Sequence, residues 1–577
     1  PEHNDADNEV NSPEEALAGA RDIIAEMISD DAEVRKLIRE ATRKSGLMNS
    51  KAKSKDAEED YEMYVEFSEP VSKIVPHRIL AMNRGEKEKH LGISIDVDEE
   101  RMVEIIRKLH LKNPGTIFKG ELSESRIDGY KRLISPSIER EIRNELTEVA
   151  ERHAIDVFGE NLKNLLLQPP VRNKVIMGID PAYRTGCKVA VIDEIGKYLE
   201  GDTIYPHPPQ KKMLQAMSSV REMVDKYSVD IIAIGNGTAS RETESMVADI
   251  IAETKKEQPE RELYYIIVNE AGASVYSASK VAREEFPELE ASQRGNISIA
   301  RRLLDPLSEL VKIDPKSIGV GLYQHDVNLK NLGAALDTVV ESAVNRVGVK
   351  LNTASASLLR HESGLTSRTA TNIVKYREDK GRFSSRKELQ KVSGVGDIAF
   401  QQSAGFLRIP DAKNPLDQTG IHPESYAATR KLLELFDIAD EPSRWGDIRS
   451  FVKGANTSEL ASQIGVGEPT LDDIIAVLEK PVRDPRDSMP KPILKSDVLK
   501  IEDLKEGMVL KGTVRNVVDF GAFVDIGVKR DGLVHISELA NKFVKNPHEI
   551  VSVGDVVSVR VMEVDQQKGR VKLSMKI

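Results

Sequence analysis

Three flat rings and two cations near the C-terminus have the types and spacing to hold a single-stranded nucleic acid. Phe520, Phe523 and His535 fall in or beside the second and third of a series of short apolar strands, where rings can stack on bases. Each stacked base is worth on the order of 1–3 kcal/mol. Arg570 and Lys572 alternate with Val571 and Leu573, so on a strand both cations share the face opposite the apolar pair and can meet phosphate. The same residues admit a plainer reading, in which the two Phe fill a core and His535 caps a strand. No base-specific code is visible. With 12 basic against 10 acidic residues over 503–577, binding is expected to be moderate and stacking-assisted.

The elements that would position these side chains are Gly507–Val514, Phe520–Ile526, Gly532–Ser537, Val556–Val564 and Arg570–Met575, which read as the five strands of a small OB-type barrel over 504–577. This stretch resembles an S1-type RNA-binding domain. The resemblance implies RNA as a partner and gives Asp565 a role, accepting hydrogen bonds from a base or positioning the neighbouring Arg.

Two Gly-centred turns lie upstream. Leu358-Leu359-Arg360-His361-Glu362-Ser363-Gly364-Leu365-Thr366-Ser367 precedes one helix, and Leu389-Gln390-Lys391-Val392-Ser393-Gly394-Val395-Gly396 precedes a second. Their spacing resembles a tandem helix-hairpin-helix domain, expected over 326–415. In that motif Gly364, Gly394 and Gly396 let backbone N–H groups and the positive end of the following helix approach a phosphate without reading sequence. Residues 354–410 carry 10 basic and 5 acidic side chains, so duplex DNA contacts are expected here. The first turn departs from Gly-x-Gly, and Asp397 directly after the second would repel phosphate. The alternative is a pair of hairpins that only pack on their neighbours.

From Lys174 the pattern becomes short β-branched runs alternating with helices at 210–226, 240–256 and 297–312, an α/β domain over 171–325. Ile179-Asp180-Pro181-Ala182-Tyr183-Arg184-Thr185-Gly186 follows a buried strand and resembles the start of the RNase H-like fold of the resolvase (RuvC/YqgF) type. Active members hold two divalent ions about 3.5–4 Å apart on several carboxylates for in-line phosphodiester hydrolysis. Asp180 at a strand end, Glu270 after strand Tyr264–Asn269 and Asp305 on a late helix are the candidates, with Mg or Mn as the metal. Where active resolvases carry an acid, however, this chain has Asn236 in Gly235-Asn236-Gly237-Thr238, and hard cations are held largely by carboxylate charge. A degenerate scaffold is therefore the expectation, with a structure-selective nuclease as the second reading; Asp180 could equally cap a turn. No Gly-Lys-Ser/Thr follows, so Gly235–Thr238 is not a nucleotide-binding loop of the Walker kind.

At 577 residues the chain exceeds one core and should hold about four domains. Lys plus Arg number 83 against 94 Asp plus Glu, a net charge of −11, which excludes a uniformly basic nucleic-acid coat. The acidity is local, since residues 1–70 hold 19 acidic and 9 basic side chains. That start could dock on a basic protein partner. No stretch approaches the ~20 apolar residues of a membrane helix. Cys187 is the single cysteine, excluding an internal disulfide, and the first residues are acidic rather than a signal peptide, so a reducing cytoplasm is the expected location. The chain opens on Pro, consistent with loss of an initiator Met or with a piece cut from something longer. Residues 1–13 read as frayed, 1–170 as mainly helical with Gly46–Asp60 as a mobile loop, 416–478 as helical, and 479–503, with its spaced prolines, as a stiff linker.

In this order the modules make a multidomain α+β chain, mostly helical, with an RNase H-like domain, a helix-hairpin-helix domain and an OB-fold barrel. Nearly the whole chain resembles the bacterial Tex family of transcription accessory proteins. His77-Arg78-Ile79-Leu80-Ala81-Met82-Asn83-Arg84-Gly85-Glu86, Gly321-Leu322-Tyr323-Gln324-His325-Asp326, Ile421-His422-Pro423-Glu424-Ser425-Tyr426 and Asp484-Pro485-Arg486-Asp487 fit it too. His77, Arg78 and Arg84 read as helix-surface or interdomain partners rather than catalysts, and His325-Asp326 as ordering a loop. The resemblance implies a non-enzymatic factor that binds RNA and single-stranded nucleic acid, with duplex DNA and the transcription machinery as further partners, and without strong sequence preference. It implies no cofactor beyond the Mg or Mn of the nuclease reading. Family members usually carry a further helical segment ahead of the position numbered 1 here.

Overall fold

A computed structural model describes residues 12–110, 116–321, 323–410, 412–480, 484–488, 492–495, 504–528, 531–565 and 570–577. The chain divides into two compact units, one comprising residues up to 156 with 322–329, the other 157–321 with 330–577.

In the first unit, Pro13–Asp30 opens a helical region, with Ser12 Oγ accepting from Glu15 N and Pro13 in the first turn, where its missing N–H costs nothing. The unit is not purely helical. Strands β1 (Leu47–Ala52), β2 (Glu66–Pro70) and β3 (Leu91–Asp96) form an antiparallel sheet in the order β2-β1-β3. The loop expected at Gly46–Asp60 instead begins with a central strand, Leu47–Ala52, and ends in a helical turn, Ala57–Asp60; in the strand Met48 and Ser50 turn inward while Leu47 and Lys51 are exposed. Its Ser and Lys residues concealed the period. Arg84 Nε donates to Asp326 Oδ2 at 2.9 Å and its guanidinium lies 4.9 Å from the Tyr323 ring centre, so Arg84 and Asp326 order residues 323–329 on the helix Pro76–Lys87. Arg78 Nη1 donates to Glu69 Oε2 at 2.7 Å.

The second unit is built on β4 (Ile176–Asp180), β5 (Cys187–Ile192), β6 (Tyr198–Ile204), β7 (Ile231–Gly235) and β8 (Tyr264–Val268), in the order β6-β5-β4-β7-β8. β4, β5 and β6 run antiparallel, whereas β7 and β8 run parallel to β4. Two apolar clusters cover the sheet. Met177, Ile179, Ile232 and Ile234 pack with residues of helices Met213–Tyr227 and Ser240–Glu257, while Ile176, Ile231 and Ala233 pack with residues of helix Ala291–Leu304. The helix expected over 297–312 is broken, because Pro306 cannot donate to the preceding turn; Asp305 instead N-caps a new helix, Pro306–Leu310.

β9 (Val349–Lys350) and β10 (Leu407–Arg408) pair in parallel and tie the ends of the Gly-turn segment together. Residues 416–478 pack as short helices around Trp445, which is fully buried. β11 (Val509–Val518), β12 (Gly521–Asp525), β13 (Gly532–His535), β14 (Val556–Asp565) and β15 (Arg570–Ser574) close into a barrel in the order β11-β12-β13-β15-β14, whose buried core residues are all aliphatic.

The linker expected at 479–503 is anchored where it is described; 481–483, 489–491 and 496–503 lie outside the described residues. Pro485–Ser488 is a helical turn, and Arg486, only 4% exposed, donates to Asp484 Oδ1 at 3.0 Å and to Asp305 Oδ1 at 2.7 Å. Lys495 exchanges two 2.9 Å backbone hydrogen bonds with Tyr265 of β8. The prolines prevent a helix, as expected, but buried charge pairing adds a fixed attachment.

Candidate nucleic-acid interface

The barrel core excludes both phenylalanines. Phe523 projects from β12 opposite the buried Ala522 and Val524, and Phe520 sits just before that strand; both are half-buried. Their ring centres lie 6.1 Å apart at 87°, an edge-to-face pair that fixes both planes. His535 pairs across the sheet with Gly521, and its ring is exposed. Its Nδ1 accepts from Ser537 N at 3.3 Å, so it caps the turn Ile536–Glu538 while keeping a free face. Register places Phe523, Leu533, Lys572 and Glu563 in one row across four strands. Arg570 and Lys572 are exposed, with Lys572 Nζ 2.7 Å from Glu563 Oε2, while Asp565 pairs in register with Arg570. The rings and cations named from the sequence therefore share the barrel's outer surface.

The Gly turns pack on each other. Gly364 has φ +76°, and a Cβ there would lie 2.6 Å from Gln402 Cβ; Gly394 has φ +90° beside Thr369. These two are glycine for conformation and space. Gly396, by contrast, has an ordinary φ of −85° and nothing within reach of an added Cβ, so only an approaching ligand would need its bareness. It caps a short helix, Asp397–Ser403, and Asp397 Oδ1 accepts from Gln390 Nε2 at 2.9 Å. The local positive charge is partly structural. Arg386, 1% exposed, donates to the carbonyls of Leu407 and Ile421 at 2.6 and 2.8 Å, and Arg377 donates to those of Leu351 and Ala354. Arg360, Arg368, Lys375, Lys380, Arg382, Lys387 and Lys391 remain exposed.

At the carboxyl end of β4 and β8, Asp180 and Glu270 converge. Burial pushes both carboxyls up, and Asp180 adds to the rise at Glu270. The turn Gly235-Asn236-Gly237 is shaped around Glu270, since a Cβ on either glycine would overlap its carboxylate. Asn236 Oδ1 accepts from Glu270 N at 3.0 Å, so the amide standing where active resolvases carry an acid holds the backbone. Asp305 does not join them: it caps Ser308 and pairs with Arg486. Two carboxylates and a committed amide are a short donor set for two hard cations. Among the described residues no group of three or more His, Cys, Asp or Glu is arranged to hold a metal ion.

Comparison with known proteins assigns these modules. Residues 174–304 match the family model for the Tex protein YqgF-like domain and 2–158 that for the Tex central region. Residues 344–408 match a helix-hairpin-helix motif, 414–486 an HHH domain and 503–576 the S1 RNA binding domain. The protein named Transcriptional accessory protein Tex of Neisseria gonorrhoeae is 44% identical over 572 residues, covering 97% of this chain and 74% of its own length. The chain belongs to the Tex family. Protein tex of Bordetella pertussis is likewise 44% identical, across 98% of this chain and 73% of its own. The uncharacterized protein YdcI of Bacillus subtilis is 54% identical, across 99% of this chain and 79% of its own. A Tex-family chain with S1 and helix-hairpin-helix domains has nucleic acid as its partner class. Among the described residues no helix is long and apolar enough to cross a membrane.

Sequence reasoning missed the polar groups joining the barrel to the β8 edge. Arg515 Nη2 donates to Asp525 Oδ2 at 2.9 Å and to the Ile267 carbonyl at 3.1 Å, and from the helix Ser135–Leu166 Asn161 Nδ2 donates to the Val517 carbonyl of the barrel at 3.2 Å. The two carbonyl partners lie far along the chain, and no local pattern marks them.

Proposed function

We propose that this Tex-family chain is a non-enzymatic, cytoplasmic nucleic-acid-binding factor acting around transcription. The barrel takes RNA or another single strand on Phe520, Phe523 and His535, with Asp565, Arg570 and Lys572 serving the backbone and base edges. The Gly turns contribute duplex phosphate contacts, and the RNase H-like domain acts as scaffold or protein-docking surface. The observation that carries this reading is the placement of both Phe outside the aliphatic barrel core, edge to face, beside the exposed His535. Titration of RNA at fixed salt tests it: removal of 501–577 should abolish most RNA affinity, and unchanged affinity would overturn the reading. A competition of RNA, single-stranded DNA and duplex on one sample then ranks the substrates.

The convergence of Asp180 and Glu270 favours one second reading, a Mg- or Mn-dependent structure-selective nuclease resting on these two carboxylates without Asp305. Cleavage of branched and single-stranded substrates, compared between wild type and Asp180→Asn, separates the two. Metal-dependent cuts lost in the variant would establish the enzyme.

A further inference from the structure

A cavity of about 120 Å³ lies between the β8 edge, the C-terminal end of the helix Ser135–Leu166 and the barrel strand β11, with Pro492, Ile493 and Lys495 forming another wall. It has room for several waters or one small anion. Arg302 lines it and is 5% exposed. Arg302 Nη1 is spent on the carbonyls of Asn269 and Ala271, at 2.6 and 2.8 Å, which pins the guanidinium. Its Nε and Nη2 have no hydrogen-bond partner. Leaving donors on a charged group unmatched and buried is costly, so the arrangement calls for an acceptor. Glu309 and Glu270 favour the charge from nearby without bonding these nitrogens, and burial still pulls Arg302 down to about 10, so it stays cationic at neutral pH.

The second unmatched group is an acceptor. Asn161 is 2% exposed, and its Nδ2 is committed to Val320 O, Asn516 Oδ1 and Val517 O, which fixes the amide orientation. Its Oδ1 also lacks a partner. Lys495 and Arg515 add positive charge to the lining, and Asp525, the carboxylate there, is already paired with both. One small guest that offers acceptors to a guanidinium and an O–H to an amide oxygen is a protonated oxyanion.

We propose that this cavity is a phosphate-class oxyanion site, with the anion seated on Nε and Nη2 of Arg302 and its hydroxyl donated to Asn161 Oδ1. The bidentate N–H edge suits two oxygens of one phosphate, and sulfate, which carries no proton at neutral pH, can satisfy Arg302 but not Asn161. Because the walls come from the sheet edge, the long helix, the linker and the barrel, an occupied site would also fasten the barrel in place.

Calorimetric titration of the full chain with inorganic phosphate in a phosphate-free buffer tests this, alongside sulfate and oligonucleotides ending in phosphate or hydroxyl. Saturable phosphate binding is expected, with sulfate about tenfold or more weaker. Arg302→Met should abolish it. Ile493→Trp, which fills the cavity from the linker and leaves Arg302 intact, should do the same and guards against misfolding of the first variant. If only phosphate-ended oligonucleotide displaces inorganic phosphate, the natural source is a strand end; if neither does, it is the free ion. No saturable phosphate signal in wild type, or binding undiminished in Ile493→Trp, overturns the site. Hydroxyl-ended RNA reads the barrel separately, so failure here leaves the RNA reading intact.

Discussion

Arg515 and Asp525 are partners across adjacent barrel strands, 2.9 Å apart, and the same Arg515 nitrogen reaches the Ile267 carbonyl on the β8 edge. One half-buried guanidinium thus pairs with a buried carboxylate and fastens the barrel to the RNase H-like sheet. Lys495, held to Tyr265 by backbone hydrogen bonds, stands 3.5 Å from the same carboxylate.

Asp525→Ala should leave two half-buried cations without their buried anion, at a cost of up to about 3 kcal/mol. The expected result is a lower melting temperature with faster proteolysis between the HHH domain and the barrel. Burial alone would raise the Asp525 carboxyl, but Arg515 and Lys495 outweigh it and hold it well below the usual range. Its folded value is therefore depressed, so its contribution is present above the ordinary carboxylate range and lost only on strong acidification. Melting scans of wild type and Asp525→Asn should converge as pH falls below about 3.

Glu362 predicts the opposite dependence. It is 2% exposed, neither carboxyl oxygen has a hydrogen-bond partner, and burial pushes it up to about 8 against the counter-pull of Arg408. A folded value above the unfolded one means stability complete at low pH and lost progressively as pH rises to about 8. Glu362→Gln should flatten that decline in melting scans from pH 5 to 9, with a stability gain on the alkaline side.

Replacing Phe520, Phe523 and His535 together by Ala should weaken RNA binding by about 1–3 kcal/mol for each base that loses its platform. The slope of log affinity against log salt should stay nearly constant, because no cation is removed. Arg570→Gln with Lys572→Gln should instead lower that slope by about 1 for each phosphate left without its cation. Fluorescence anisotropy across a salt series distinguishes the two sets.

The two kinds of glycine give a paired test of the hairpins. Gly364→Ala should destabilise the domain by about 1 kcal/mol or more, since it strains a positive φ and drives a Cβ into Gln402. Gly396→Ala should leave melting unchanged, with nothing near its added Cβ, yet reduce duplex affinity if backbone there approaches a phosphate. Equal duplex affinity for Gly396→Ala and wild type would assign the hairpins to packing alone.

Much of this was legible in local pattern. The five barrel strands, the α/β alternation and the two Gly turns could be read from the sequence because each depends on a period of two, a period near 3.6, or a residue without a Cβ. Where polar residues mask the period, as at Leu47–Ala52, the strand has no local signature. Where one proline intervened, as at Pro306, a single expected helix became two and Asp305 left the carboxylate set.

By itself the sequence determined the order of modules, the chemistry of the barrel's outer face and the conformational demand of each turn, because these follow from residues within a few positions of one another. Only the tertiary structure decided that Asn236 serves the backbone of Glu270, that Arg486 and Lys495 make an anchored attachment of a proline-rich linker, and that Arg302 keeps two donors unmatched beside a cavity. The reason is burial. A charged group is worth little in water and much once desolvated, and its partner then lies wherever the chain returns, at a separation no local period encodes.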